Sequence, residues 1–426
     1  MKQTDKKNVV VVGAGIAGLT AGLWAQSCGY QVTLIERTKS CGGLLRSFIT
    51  DDGNVFDYGT HIPLMTSNSV VDHLIFDTGI DIDWVDIKKL KKGNYFRGKL
   101  NTTSQFIDIN MLAEHDYRLA LAELINSLTT DTGAENLHDA LHSHFGSFLT
   151  ESVFKPLLSR IYRKPFSEIS PSAHRFLAYT RVVVGSSAVS KELKRSPVYD
   201  SKIGFTNSDE GGLKASYRYP RHGGTGAWVQ SIVDKFIRLG GKVFTETGIT
   251  SISTKDNLIK LSDSREICFD SLIWTGPIGI LARMVLPELE MMQPDFVPTR
   301  LHHFVLTEKP QFDSHYVYMN DPDFLSFRVT LYPNITNQDE DFRITVEAVA
   351  SEQSEEAQSE RVFQELKISG IISHDTQVKS SSSQLLMNGF PEMTVSLNIQ
   401  NDSVREQLEK FSNLVLGGRG ASDVFL

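Results

Sequence analysis

The sequence predicts an α/β protein: a parallel sheet assembled from separated stretches of chain, with helices and antiparallel strands inserted between them. Three observations carry that prediction. A run of four valines, Val9 to Val12, leads directly into Gly13-Ala14-Gly15-Ile16-Ala17-Gly18. A second apolar strand, Gln31 to Ile35, ends on Glu36, eighteen residues beyond Gly18. Strand patterns of the same kind return near residues 243 and 269, after a long helical stretch.

The valine run is β-branched, uncharged and too short for a helix, so it reads as a buried strand. Leu19 to Ala25 then carries a helix pattern. Between them, Gly13 allows a tight turn, Gly15 lets a diphosphate lie against the backbone, and Gly18 lets helix and strand pack closely. The free N–H groups and positive dipole end of the helix face the phosphates. Glu36 is placed to accept hydrogen bonds from ribose hydroxyls. The alternative is a glycine-rich turn in some other α/β protein, with Glu36 a solvated strand end.

At 426 residues the chain has room for two or three domains. A net charge of −8 argues against generic nucleic-acid binding. Cys28, Cys41 and Cys268 are scattered, which suits a reducing, cytoplasmic setting without disulfide or zinc framework. Lys6-Lys7 followed by an apolar run looks like a signal peptide, but the glycine spacing explains the same residues better. No later stretch reaches ~18 uninterrupted apolar residues, so no transmembrane segment is expected. The sequons at Asn101, Asn334 and Asn401 then carry no meaning.

After Glu36 comes Arg37-Thr38-Lys39-Ser40-Cys41-Gly42-Gly43-Leu44-Leu45-Arg46-Ser47. The double glycine permits another close backbone approach, Arg46 can pair with a phosphate, and Ser47 can add a hydroxyl contact. A simple turn is the alternative. Asn54 to His61 alternates like a strand and ends in a Gly59-Thr60-His61 loop.

These motifs together resemble the N-terminal part of FAD-dependent enzymes of the flavin amine oxidase superfamily, which includes protoporphyrinogen oxidase-like proteins and UDP-galactopyranose mutases. The resemblance implies a discontinuous FAD/NAD(P)-binding Rossmann-like domain. The first glycines and the acid would hold the ADP half of FAD, the double glycine would lie along the pyrophosphate, and the Tyr-Gly-x-His loop would pass near the isoalloxazine. The matching positions are Gly13, Gly15, Ile16, Ala17, Gly18, Glu36, Arg37, Gly42, Gly43, Leu44, Arg46, Gly59, Thr60 and His61. The mutases usually carry a second histidine three residues after the first; here that residue is Leu64.

Farther along, Ser69 to Gly79 reads as a short helix, and Lys88 to Lys99 as a basic hairpin. The hairpin suits either a solvated edge guarded by lysines or a contact with a membrane surface or a nucleotide-sugar diphosphate. Residues 110 to 195 read as helical. His138, His142 and His144 fall close together without an acidic partner motif, so no metal site is expected. Phe154 to Pro171 is similar to a superfamily stretch that lines the substrate domain. Tyr217 to Gly226 precedes a helix, Ala227 to Leu239; the apparent lack of a buried strand before its glycines argues against a second nucleotide site. Val243 to Ile252 and Phe269 to Pro277 read as strands, and relatives imply cofactor contacts near Ile249 and Gly276. Residues 300 to 350 read as an antiparallel sheet, with Arg328 facing either an active site or solvent. Ser351 to Ser359 reads as polar before a helix, Glu360 to Ile368, and Lys379 to Gln384 as a serine-rich loop. Phe411 to Gly420 resembles the superfamily's final strand and flavin turn at Gly418-Arg419. In relatives a C-terminal FAD helix follows this turn, and with the sequence ending at Leu426 the expectation is that this helix is missing.

The expected organisation is an FAD-binding domain over residues 1–80, 215–285 and 405–426, with a mixed helical and antiparallel-sheet substrate domain over 81–214 and 286–404. The expected activity is FAD-dependent oxidation, a hydride passing from a substrate C–H to flavin N5. The substrate would be a small molecule, whether amine, porphyrin-like or nucleotide sugar; catalysis rests with the flavin, with Arg328 and His61 as candidate residues. The alternatives are a UDP-galactopyranose mutase-like isomerase and a truncated, catalytically impaired homologue.

Overall fold

The computed structural model describes residues 6–66, 68–128, 133–211, 215–338 and 342–421. The end of the chain, on which the missing-helix expectation turns, lies outside the described residues. The chain forms two compact units. One comprises Met1–Trp84, Arg218–Gln293 and Leu397–Leu426; the other comprises Val85–Tyr217 and Pro294–Ser396.

In chain order, β1 (Asn8–Val12), α1 (Ile16–Ser27) and β2 (Gln31–Ile35) form where the sequence places them. A hairpin of β3 (Ser47–Ile49) and β4 (Val55–Asp57) follows. The strand pattern of residues 54 to 61 thus yields only three strand residues before Gly59 turns the chain at φ +106°. The next helix spans Ser69–Phe76 and stops short of Gly79.

In the second unit, β5 (Lys92–Phe96) and β6 (Lys99–Asn101) make the hairpin, turned by Arg97 and Gly98 at positive φ. Only β6 is an edge strand; β5 lies inside a sheet, and Lys91 pairs with Asp313. The expected lysine-guarded edge is therefore confined to β6. Helices Glu114–Asn126 and Leu137–Phe145 bear out the helical reading of this region.

The first unit resumes with α2 (Gly224–Arg238), β7 (Lys242–Phe244) and β8 (Ser271–Trp274). Two expectations change here. The helix begins at Gly224 rather than Ala227, and a short strand, Tyr217–Pro220, does precede its glycines. The stretch from Val243 to Ile252 is also two strands, because Glu246 adopts φ +51° and ends β7.

The second unit continues with β9 (Phe296–Leu306), β10 (Tyr316–Asn320), β11 (Ser326–Leu331), β12 (Arg343–Val349), α3 (Glu355–Ile368) and β13 (Val378–Pro391). α3 starts five residues earlier than expected because the Ser354 side chain caps it. The serine run is not a loop: it pairs along its length with β9, Ser382 opposite His303. Small hydroxyl side chains read as loop residues in isolation, and cross-strand pairing overrides them. β14 (Leu414–Leu416) closes the chain order.

The first unit's main sheet is parallel, in the order β7-β2-β1-β8-β14. Both of its faces are covered, so Val9 to Val12 are at most 9% exposed, each contributing ~1.5–3 kcal/mol of burial. The second unit's sheet has seven strands in the order β13-β9-β12-β11-β10-β5-β6. It is mixed rather than purely antiparallel, since β10 runs parallel to β5. One face carries Phe304, Val317, Met319, Val329, Ile344 and Val346 into a core with Val362 and Phe363 of α3. Around Tyr316, Tyr318, Arg328, Thr345 and Glu347 the other face is polar, while Val297, Phe327 and Phe390 join the unit's helical core. No described helix is long and apolar enough to cross a membrane.

Candidate functional site

Two walls of backbone meet at the end of β1. In the first, the Gly13 N–H donates to the Ile35 carbonyl (2.8 Å), and Gly13 takes φ +95°. A Cβ on Gly18 would lie 1.9 Å from the Gly13 oxygen, so only glycine lets α1 sit so close to the turn. A Cβ on Gly15 would meet nothing within 4 Å. That open side is where a ligand can approach backbone. Ile16 and Ala17 form the first turn of α1, whose N–H groups have no intrahelical partner.

The second wall is Gly42-Gly43. The Gly42 N–H donates to the Ala14 carbonyl (2.7 Å), Gly42 bridges Gly15 in parallel, and a Cβ on Gly43 would sit 3.5 Å from the Gly15 Cα. From behind, Thr275 donates its hydroxyl to the Val12 carbonyl (2.8 Å). Gly276 follows it, packed on the Trp274 ring, and Gly418 lies against Ala17 with 3.2 Å for an added Cβ. Arg419 sits in the same short turn, Gly418–Ala421.

The Glu36 carboxylate accepts from the Ala14 N–H (2.9 Å), the Thr38 N–H (2.8 Å) and the Thr38 hydroxyl (2.7 Å). A carboxylate offers about four acceptor sites, which leaves room for a ribose hydroxyl. Burial, with the Glu36 charge beside it, pushes the Cys41 thiol up to about 11, so it is no nucleophile at neutral pH. Thr247 donates its N–H to the Glu36 carbonyl (3.0 Å), and Ile249 follows two residues later. Arg37 and Leu44 are exposed. Arg46 is partly committed, donating to the Gly43 carbonyl (2.8 Å) and lying 5.0 Å from the Tyr58 ring centre.

Ser47 is not a spare phosphate ligand. Its hydroxyl donates to Asp57 (2.5 Å) and accepts the Gly226 N–H (2.8 Å). Asp57 is buried at the end of β4 and also accepts the Tyr219 hydroxyl (2.6 Å) and the Thr225 N–H (3.0 Å). Burial holds its carboxyl above the ordinary carboxylate range, and the donors from Ser47, Tyr219 and Thr225, with the charge of His61, offset that only in part. These contacts occupy the N-terminal end of the helix that follows the second glycine cluster. A strand and helix do flank it, but the helix end where a phosphate would sit already holds a carboxylate from the chain itself. Sequence reasoning missed this use of Asp57, although the residue lies inside the strand pattern of Asn54 to His61. Gly59, Thr60 and His61 follow one residue later, after Tyr58.

In the second unit, Arg328 lies on the polar sheet face. Its Nε and Nη2 donate to the two carboxylate oxygens of Glu347 on β12 (2.6 and 2.7 Å). Burial alone would lower the guanidinium's pKa; Glu347, Tyr318 and Tyr316 outweigh it and hold the group above its ordinary value. Tyr316 and Tyr318 of β10 stand on the same face, opposite Lys92 and Asn94 of β5. Burial pushes the Tyr316 phenol well up and the Lys92 ammonium down. Arg328 is neither a solvated strand residue nor an unengaged clamp. Two of its N–H groups are spent on Glu347, and three remain of the five a guanidinium carries.

The histidine trio does not converge. His138 and His142 stack at 5.9 Å, while His144 turns to the Thr180 carbonyl at 3.0 Å. Among the described residues no group of three or more His, Cys, Asp or Glu is placed to hold a metal ion.

Comparison with known proteins agrees with this architecture. Residues 11–75 match the family of NAD(P)-binding Rossmann-like domains. A 4,4'-diapolycopene oxygenase of Methylomonas sp is 35% identical over 92 residues, 21% of this chain and 18% of that protein. A phytoene desaturase of Fusarium fujikuroi is 24% identical over 311 residues, 66% of this chain and 51% of that protein. The matched stretches thus span at most about half the length of these relatives. Among solved structures, a reduced UDP-galactopyranose mutase superposes with a TM-score of 0.75 at 19% identity, covering 96% of this chain and 89% of the other. The resemblance read from the sequence is borne out at the level of the fold: the chain folds like this mutase, it carries a Rossmann-like dinucleotide-binding domain, and its sequence relatives include an oxygenase and a desaturase.

Proposed function

We propose that the chain is an FAD-dependent oxidoreductase that takes a hydride from a substrate C–H. The observation that carries this reading is the two-walled backbone cradle, Gly13 to Gly18 facing Gly42-Gly43, with the Gly15 side open. Its residues fit the ADP half of FAD. The open Gly15 backbone and the first N–H groups of α1 would hold the diphosphate, and Glu36 would accept from a ribose hydroxyl. When bound, FAD supplies the hydride acceptor, and the protein supplies position and electrostatics.

On the polar sheet face, Glu347 fixes the plane of Arg328, so the remaining N–H groups point in one direction. Tyr316 stays neutral and can donate a hydrogen bond. Together they would bind an anionic or carbonyl-bearing group of the substrate. That chemistry also favours a second reading, an isomerase of UDP-galactopyranose mutase type, because a diphosphate is such a group. The likeness in fold to that mutase supports it, and Leu64 in place of a second histidine weighs against it.

The test is the absorbance spectrum of the purified protein after incubation with FAD, followed by anaerobic addition of amines and of UDP-galactopyranose. Bleaching of a bound flavin by an amine supports the oxidoreductase. Furanose product from the reduced protein, without net redox, supports the isomerase. A colourless protein that releases no FAD on denaturation overturns both.

A further inference from the structure

We propose that Asp57 is a positioning residue for the dinucleotide: its carboxylate caps α2 and so keeps the second glycine wall in register with the first. The inference rests on the FAD reading above, and it concerns a residue remote in sequence from the helix it caps.

α2 has no cap of its own. Its N-cap position is Gly223, which carries no side chain to accept from the first turn. The oxygens come from the β3–β4 hairpin instead. Asp57 accepts the Thr225 N–H at 3.0 Å, and Ser47 accepts the Gly226 N–H at 2.8 Å. These are the second and third N–H groups of the helix, the ones a local cap would normally take. Ser47 in turn donates to Asp57, and Tyr219 donates to the other carboxylate oxygen at 2.6 Å.

The joint leaves no slack. A Cβ on Gly224 would lie 2.4 Å from the Asp57 carboxylate and 2.5 Å from the Ser47 hydroxyl. A Cβ on Gly226 would lie 2.9 Å from the Ser47 backbone nitrogen. From there the contacts run on to the cradle. Val229, one turn along α2, stands where a Cβ on Gly42 would lie 2.9 Å from its Cγ1. Gly42 then donates to the Ala14 carbonyl at 2.7 Å, beside the open face of Gly15. A shift of α2 therefore moves the Gly42 wall.

A cap alone needs only a serine or threonine hydroxyl, whereas a carboxylate buried to 1% exposure carries a desolvation cost. The charge does something a hydroxyl does not. It neutralises the positive end of the α2 dipole, which would otherwise draw a second phosphate to a helix end backing the cradle.

The test uses the full-length protein and two readouts on Asp57→Asn, which removes the charge and keeps the shape. The first is amide hydrogen exchange at Gly42 in FAD-free protein: protected in the wild type, and expected to exchange at least about tenfold faster in the variant. The second is FAD titration by flavin fluorescence quenching, where Kd is expected to rise about tenfold or more and the visible band of the bound flavin to change shape. Tyr219→Phe should move both readouts the same way by a smaller factor. Wild-type exchange at Gly42 and wild-type Kd in Asp57→Asn overturn the inference. So does a lowered Tm of the FAD-free protein with an unchanged Kd, which a merely structural carboxylate would give. If Asp57→Asn fails to fold, Ser47→Ala, which deletes the Gly226 cap, decides by the same two readouts. A wild-type chain that takes up no FAD overturns the proposed function and the cofactor half of this inference, while the exchange readout still decides the register half.

Discussion

Around Gly15 the first unit presents backbone; around Arg328 the second unit presents side chains. The glycine cradle is made of N–H groups, carbonyls and missing Cβ atoms, fixed by strand, turn and helix. The polar sheet face is made of a guanidinium, a carboxylate and phenols, brought together by the pairing of strands from distant parts of the chain. The first kind of site is set mainly by where backbone can lie, and its charges, Glu36 and Asp57, act by holding backbone N–H groups. The second depends on charge pairs whose partners hold one another in place.

The largest expected effect separates two glycines three residues apart. Gly18→Ala drives a Cβ to within 1.9 Å of the Gly13 carbonyl, a backbone atom that has nowhere to go. The variant should fail to fold the first unit, seen as loss of cooperative unfolding and of flavin uptake. Gly15→Ala meets no atom and has φ −70°, a value any residue adopts. It should keep the wild-type Tm and lose FAD affinity. If both variants unfold, or both bind FAD normally, the backbone account of the cradle is wrong.

Next in size is the charge pair. Glu347→Ala leaves Arg328 half-buried without its partner, and truncating one member of a buried pair costs ~3–5 kcal/mol. Urea unfolding should show that loss, with Glu347→Gln milder because one hydrogen bond survives. FAD uptake by the variant under native conditions should persist, the reverse of Gly15→Ala. An unchanged urea midpoint in Glu347→Ala would show that the pair is an exposed one of little worth.

The two regions also differ in how much of each could be read from the sequence. Gly13, Gly15, Gly18 and Glu36 were legible because the cradle is local: strand, turn, helix and strand lie within thirty residues, and glycine spacing records the backbone conformation directly. Asp57 falls inside the strand pattern of Asn54 to His61, but its role was not legible, since its partners Thr225 and Tyr219 lie more than 150 residues away. Arg328 could be named on its strand, but Glu347 could not be assigned to it, because cross-strand partners follow from register and register is a tertiary property. The serine run in β13 failed for the same reason.

A third prediction concerns acid, and it belongs to the side-chain unit alone. Burial, with the Arg300 charge beside it, pulls His302 from 6.5 down to about 4. The unfolded chain therefore takes a proton near pH 6.5 that the folded chain refuses until about pH 4. Stability is full above pH 6.5 and is lost as the pH falls through that window. Between pH 7 and pH 4.5 the loss from this group is ~2–3 kcal/mol. His302→Leu should lose that much less in urea unfolding over the same interval. An identical pH dependence in variant and wild type would remove His302 as its source.

The smallest effect tests whether the polar face is polar for a reason. Thr299 is 2% exposed, and its hydroxyl has no hydrogen-bond partner among the described residues. A buried, unpaired hydroxyl costs ~1–3 kcal/mol, and valine has nearly the same shape without it. If Thr299 only fills space between β9 and β13, Thr299→Val should raise stability by ~1 kcal/mol, a gain of a few degrees in Tm. The cradle offers no such test, because there a new methyl group meets packed atoms, as at Gly13, Gly18 and Gly42, or open space, as at Gly15. A fall in Tm on Thr299→Val would instead mean that the hydroxyl is satisfied by water or by a bound molecule. The polar face would then extend past Arg328 and Glu347 to the β9 end of the sheet.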